Sequence, residues 1–248
     1  MDSILLYVVA GFLAQMIDGS LGMGYKVSST TFLLSIGLPP VLASASVHTA
    51  GVVTSAVSGF SHYKFGNFNR DLIWRLAVPG VIGGVIGAIL LTNLPTDIIK
   101  PIVGLYLTLM GVRIILKALS RSTTVQVPVN ITILGLFGGF FDAIGGGGWG
   151  PIVTSTLVVN GHEPRFVIGS VNIAEWFVTI IQATTFILAI GESYRWEIIG
   201  GLMLGGVIGA PIAAWLCQRI PTQRLMLLVG ILIVILSLRT LALAFFPV

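Results

Sequence analysis

The sequence predicts an all-α polytopic membrane protein built from two homologous repeats, and three observations carry that prediction. Of the 248 residues, 55% are hydrophobic and only 9% are charged, against about 25% charged in ordinary soluble domains. The apolar residues gather into runs of about 20, the length needed to cross hydrocarbon. The same residues also recur in the same order: Asp18, Gly22, Gly24 and Pro40 return as Asp142, Gly146, Gly148 and Pro164.

The first repeat is expected to span residues 1–119. It opens with a glycine-split region from Ile4 to Gly37. As one helix this would reach about 50 Å, too far for a simple span, yet it is too short for two comfortable ones. A pair of short helices joined at the glycine turn fits better. Three spans follow, Leu42 to Ser61, Leu76 to Leu94 and Ile98 to Leu116. Residues 120–130 are polar and read as a cytoplasmic connector. The second repeat, 131–248, starts with the broken region Ile131 to Gly161 and continues with spans Phe166 to Ile190, Ile198 to Cys217 and Leu225 to Phe246. Further matches hold the copies together. Ser46-Val47-His48 returns as Ser170-Val171-Asn172, Gly83-Gly84 as Gly205-Gly206, and Leu94-Pro95-Thr96 as Ile220-Pro221-Thr222.

If each leading pair returns to its starting side, every repeat crosses an odd number of times and the halves are inverted. If the pair crosses once, they are parallel. With the loop carrying Lys64 and Arg70 taken as cytoplasmic, inversion puts nine Lys/Arg inside and three outside, while the parallel arrangement gives eight and four. The positive-inside tendency favours a pseudo-two-fold inversion.

Several classes are excluded. The single cysteine, Cys217, allows no internal disulfide and no thiolate metal cage. His48, His62 and His162 are dispersed, no metal-ligand spacing emerges, and no nucleophile stands with a base. No enzyme activity, metal or cofactor is expected. The net charge of +4 comes from basic residues at loop ends, where topology alone places them, so nucleic acid is not an expected partner. Met1-Asp2-Ser3 lacks a basic leader, and the first apolar run is expected to be retained.

Chemistry becomes available at the two turns, Asp18-Gly19-Ser20-Leu21-Gly22-Met23-Gly24 and Asp142-Ala143-Ile144-Gly145-Gly146-Gly147-Gly148. Irregular backbone at membrane depth is tolerated only within protein or against a wet cavity. The half-helices that follow start near Tyr25 and Trp149, with Pro151 suited to a first turn. Their N-termini present N–H groups and a positive dipole end, which attract anions. Interrupted helices at matching places in two halves point to a transporter whose site lies where the halves meet.

The duplicated aspartate, glycine-rich turn, aromatic and downstream Gly-x-x-Pro resemble the sulfite exporter family named for TauE and SafE. The resemblance covers nearly the whole chain, and Asp142 to Pro164 is its sharper copy. It implies a multi-pass protein of the cytoplasmic membrane that moves sulfite or small organosulfonate anions, often outward. An anion channel using the same helix ends, or a carrier of another small oxyanion or carboxylate, is the alternative. The first copy departs from the pattern, with Ser20 and Leu21 where the second has Ile144 and Gly145, and Lys26 where it has Gly150.

The candidate substrate-binding residues are Gly22, Gly24, Tyr25, Lys26, Ser46, His48, Gly146, Gly147, Gly148, Trp149, Ser170 and Asn172. Hydroxyl, imidazole and amide groups donate hydrogen bonds to sulfonate oxygens without adding negative charge. Ser46 and His48, like Ser170 and Asn172, lie two residues apart and diverge by about 200° on a helix, so both members of a pair cannot face one ligand. Asp18 and Asp142 are placed to brace the turns by accepting N–H bonds or to couple protons, and Glu175 is a further coupling candidate. For Lys26 and Glu175 two readings stand: Lys26 attracts the anion while Glu175 exchanges a proton, or the two form an ion pair across the halves. Arg113 and its counterpart Arg239 read as snorkelling anchors.

Overall fold

The computed structural model describes residues 2–21, 23–64, 66–119, 129–160, 162–217 and 222–245. Gly22 and residues 120–128 of the connector lie outside them. The described residues form α1 (Asp2–Leu21), α2 (Tyr25–Ser35), α3 (Pro40–Lys64), α4 (Arg70–Asn93), α5 (Thr96–Leu119) and α6 (Ile131–Gly145). A π turn, Gly150–Thr154, then leads into the short α7 (Ser155–Val159), followed by α8 (Pro164–Ile190), α9 (Trp196–Cys217) and α10 (Thr222–Phe245).

Four helices, α3, α4, α5 and α8, are long and apolar enough to cross a membrane over the described residues. Shorter apolar stretches lie in α1, α6, α9 and α10, and the six expected spans fall on α3, α4, α5, α8, α9 and α10. The outer surface has the composition lipid demands. Along α5, Ile98, Ile102, Leu105, Leu109, Val112 and Leu116 are all exposed at helical spacing, while Leu107 and Ile114 are buried. Each leading region is broken where the glycine turns stand, but its first member is less short than expected. α1 has 20 residues before the break and α2 has 11 after it. α6 has 15, about 22 Å and too short to span.

Packing alternates between the two halves of the chain. α1 runs parallel to α9: Gly201 meets Tyr7, Gly205 meets Val8 and Phe12, and Gly209 meets Phe12 and Gln15. α6 runs parallel to α4 in the same manner, with Gly135 on Leu76, Gly139 on Gly80, and Gly87 on Phe140 and Ala143. α3 and α8 are antiparallel. Ser170 near the start of α8 accepts the Asn69 N–H just past the end of α3 (2.7 Å), whereas Tyr194 beyond α8 shares a hydrogen bond with Thr49 near the start of α3 (2.7 Å). α5 and α10 are antiparallel too, since Gly104 meets Leu241, Thr108 bonds Ser237 at 2.9 Å, and Gly111 meets Val234.

The pair formed by α6 and α7 leaves and returns at one end. Gly135, in the first turns of α6, packs on Leu76 of α4, and His162 and Glu163 beyond α7 border one cavity with Phe68, Asn69 and Arg70. Asparagines start both α4 and α6: Asn69 accepts the N–H groups of Asp71 and Leu72, and Asn130 those of Thr132 and Ile133. Trp149, with no exposed surface, anchors the second break in a core of Leu76, Leu157, Val171 and Val178 and donates its indole N–H to the Val171 carbonyl at 3.1 Å.

Candidate functional site

The two breaks touch. Thr30 of α2 donates its hydroxyl to the Gly146 carbonyl (2.8 Å), and Gly147 lies against the backbone of Val27. Gly146 turns the chain at φ 65°, and a Cβ there would overlap the Thr30 hydroxyl. Glycine is therefore required both by the left-handed conformation and by the approach of α2.

The aspartates hold the turns. Asp142 Oδ1 accepts the N–H groups of Gly148 (2.9 Å) and Trp149 (3.0 Å), and Asp18 Oδ1 accepts that of Tyr25 (3.2 Å). This corrects one expectation, because those N–H groups at the second break and at the start of α2 are taken by the chain's own carboxylates rather than presented to an anion.

The positive group facing the cleft is a side chain. Lys26 Nζ lies 2.6 Å from Asp142 Oδ2, 2.9 Å from Glu175 Oε1 and 3.1 Å from Thr179 Oγ1. Of the two readings for Lys26 and Glu175, the structure contains the ion pair and adds Asp142 as a second partner. His48 Nε2 stands 3.1 Å from the same Asp142 Oδ2. Its Nδ1 is 2.8 Å from the Ser44 carbonyl and 3.2 Å from the Ser44 hydroxyl. Lys26, His48 and Asp142 are all buried.

Beside this cluster is a cleft of about 20 Å³, lined by Asp18, Met23, Gly24, Tyr25, Lys26, Gly51, Asp142, Gly147, Gly150, Asn172 and Glu175 together with Val27, Thr54, Ser55 and Pro151. That is room for one water molecule. Lys26 and Glu175 occupy one side; their counterparts in the other copy, Gly150 and Gly51, also line it.

The remaining candidates sit further out. Tyr25 reaches past the cleft to donate to the Leu202 carbonyl (3.2 Å). Ser46 is buried and does not line the cleft. Gly146, Gly148 and Trp149 do not line it: Gly146 accepts from Thr30, and Gly148 and Trp149 donate to Asp142. Ser170 serves the α3–α4 loop, bonding Asn69 and the Phe166 carbonyl (2.6 Å). Asn172 lines the cleft while accepting from the Ser58 hydroxyl (2.9 Å). The structure thus brings together Gly24, Tyr25, Lys26, Gly147, Asn172, Asp18, Asp142 and Glu175. Sequence reasoning missed Thr179, Gly51, Thr54 and Ser55. Thr179 lies one helical turn beyond Glu175, and Gly51 is Glu175's counterpart, so both carried a signal.

A bundle of apolar helices around broken helices and a buried polar cleft defines a polytopic membrane transporter. The family model described as Sulfite exporter TauE/SafE matches residues 7–240. The chain belongs to that family. It is 42% identical over 97% of its length to the Bacillus subtilis (strain 168) protein described as "Probable membrane transporter protein YtnM", covering 83% of that relative. A Sinorhizobium relative, "Probable membrane transporter protein ORF9", is 26% identical over 75% of this chain and 67% of its own length. No solved structure matches the chain.

Proposed function

We propose that the chain exports sulfite or a small organosulfonate across the cytoplasmic membrane by alternating access, with the anion and a proton occupying the Lys26 cleft together. The observation that carries this reading is the Lys26 ammonium, held where the two helix breaks meet and bonded to carboxylates from the second half of the chain. A buried ammonium is a strong partner for a sulfur oxyanion, and Asn172, Thr54 and Ser55 place amide and hydroxyl groups around the same space.

Charge supports the proton. Asp18, Asp142 and Glu175 line the cleft against the single ammonium of Lys26. With all of them ionised and His48 neutral, the site carries a net charge of about −2 and repels an anion. Asp142 is committed to the Gly148 and Trp149 N–H groups, and Asp18 to that of Tyr25. Glu175, which is partly exposed, also holds Lys26 but accepts no backbone N–H among the described residues. A proton on Glu175 removes one of the two carboxylate partners of Lys26, so that the ammonium takes the anion in its place while Asp142 and Thr179 still hold it; net movement then follows the combined gradients of anion and proton.

The halves are proposed to be inverted repeats. The antiparallel packing of α3 on α8 and of α5 on α10 supports this, as does the return of the α6–α7 pair to its starting end. Rocking of one half against the other then opens the cleft to each face in turn. The narrowness of the cleft favours a carrier over a continuous pore. Reconstituted vesicles offered sulfite, sulfoacetate, sulfate and chloride test the assignment: saturable movement of sulfite or the sulfonate supports it, and failure of both to move or compete overturns it.

A further inference from the structure

A second cluster of positive charge and hydroxyls lies one helical turn along the broken helix from the cleft. Arg113 and Lys117 share a stripe of α5 and reach the short helix after the second break. Arg113 Nη2 donates to Thr156 Oγ1 (3.0 Å) and Lys117 Nζ to Ser155 Oγ (3.3 Å). Neither cation has a carboxylate partner among the described residues. Two cations one turn apart repel each other, and a bound anion removes that repulsion.

Two hydroxyls where the π turn meets α7 are poorly used. Thr154 Oγ1 is buried, with the residue 1% exposed, and has no hydrogen-bond partner among the described residues. Ser155 Oγ donates to the Met23 thioether across 3.9 Å, and a thioether is a weak acceptor. An oxyanion that accepts from Ser155 would replace that weak contact with a full hydrogen bond. Met23 also lines the Lys26 cleft, as do Gly150 and Pro151 at the start of the π turn that ends in Thr154. The cluster and the cleft are therefore adjacent along one segment. π turns recur at functional positions in helices.

We propose that Arg113 and Lys117, with the hydroxyls of Ser155 and Thr156, form an outer site that captures the oxyanion before it enters the cleft. This rests on the transport reading above and deepens it. The ligand is a small anion with three or more oxygens, taken from the water on the face where α5 ends, the same face as Lys64 and Arg70 in the inverted arrangement. Its recognition differs from that of the cleft: two cations attract at range, hydroxyls orient, and no acid within the cluster must be neutralised first. Capture there raises the local anion concentration at the mouth of the cleft.

The test compares the wild type with Arg113→Gln/Lys117→Gln and with Lys117→Arg in sealed vesicles of known orientation. For a sulfonate offered on the Arg113 face, KM of the double variant is expected to rise about tenfold or more with the maximal rate within about twofold, and its dependence on ionic strength is expected to flatten. Lys117→Arg, which keeps the charge, is expected to raise KM less than the double variant does. KM from the opposite face stays unchanged. A KM that does not move, or that rises equally from both faces, overturns the outer site.

A phospholipid headgroup offers the same oxyanion chemistry, so the measurement is made in phosphatidylcholine vesicles with and without phosphatidylglycerol. A KM shift in both supports free-anion capture; an unchanged KM with thermal stabilisation only by phosphatidylglycerol assigns the cluster to lipid and overturns the proposal. Binding gives an independent readout. In the detergent-purified chain, methanesulfonate should slow amine-reactive labelling of Lys117 severalfold. If the wild type transports no anion but Lys117 is protected, the transport reading fails and the binding site stands. If Lys117 is not protected, the site fails whatever is transported.

Discussion

Replacing Lys26 with Met tests the cluster at its centre. The ammonium lies 2.6 Å from Asp142 and 2.9 Å from Glu175, so its removal leaves the buried Asp142 and the half-buried Glu175 without their shared cation. Breaking a buried ion pair from one side costs about 3–5 kcal/mol. Glu175→Gln alone leaves Lys26 bonded to Asp142 and Thr179 and is expected to cost about 1–3 kcal/mol, the worth of one charge-assisted bond. In the double variant Lys26→Met/Glu175→Gln one excess carboxylate is gone, and the two losses should fall short of their sum by about 1–3 kcal/mol. Chemical unfolding in mixed micelles, followed by tryptophan fluorescence, supplies the four stabilities of the cycle. The same variants bind no sulfonate once Lys26 is absent. Losses that add within about 0.5 kcal/mol would show that the pair carries no coupling, and unimpaired anion binding by Lys26→Met would remove Lys26 from the site.

Three further outcomes are expected. Gly51→Ala puts a methyl at ordinary contact with Thr179 Cγ2 (3.4 Å) and Lys26 Cδ (3.9 Å); stability should hold or rise by up to about 1 kcal/mol, while vesicle flux falls because the cleft is filled. Gly146→Ala forces a side chain into a left-handed position against Thr30; thermal unfolding should show a loss of about 2–4 kcal/mol. Ser170→Ala removes the acceptor of the Asn69 N–H; a stability loss of about 1 kcal/mol with unchanged KM is expected, and a raised KM would return Ser170 to the substrate site.

Much of the fold was legible because hydrocarbon imposes length and apolarity on every span, and because the same aspartate and glycines recur at both helix breaks. The six long helices, the two breaks and the half-helix start at Tyr25 follow from those constraints. Residue pairs across the halves were not legible. Lys26 and Asp142 are 116 positions apart, and no local period marks them as partners. Aspartates before turns could be read as N–H acceptors from spacing alone, but that Asp142 also holds Lys26 and His48 depends on tertiary packing. The two-residue spacing of Ser170 and Asn172 did carry information. Their side chains diverge on α8, one to the α3–α4 loop and the other to the cleft. The mismatch of Lys26 with Gly150, and of Gly51 with Glu175, marked where the two copies differ, and those four residues line one cleft.

Calorimetric binding of methanesulfonate near neutral pH, repeated in buffers of different ionisation enthalpy, tests the linkage of anion and proton most directly, because the charge of this strong-acid anion does not change there. Wild-type protein should take up about one proton per anion bound, as the displaced Glu175 is neutralised, and Glu175→Gln should bind the anion with none. Binding by the wild type without proton uptake, or uptake undiminished in Glu175→Gln, would contradict the account.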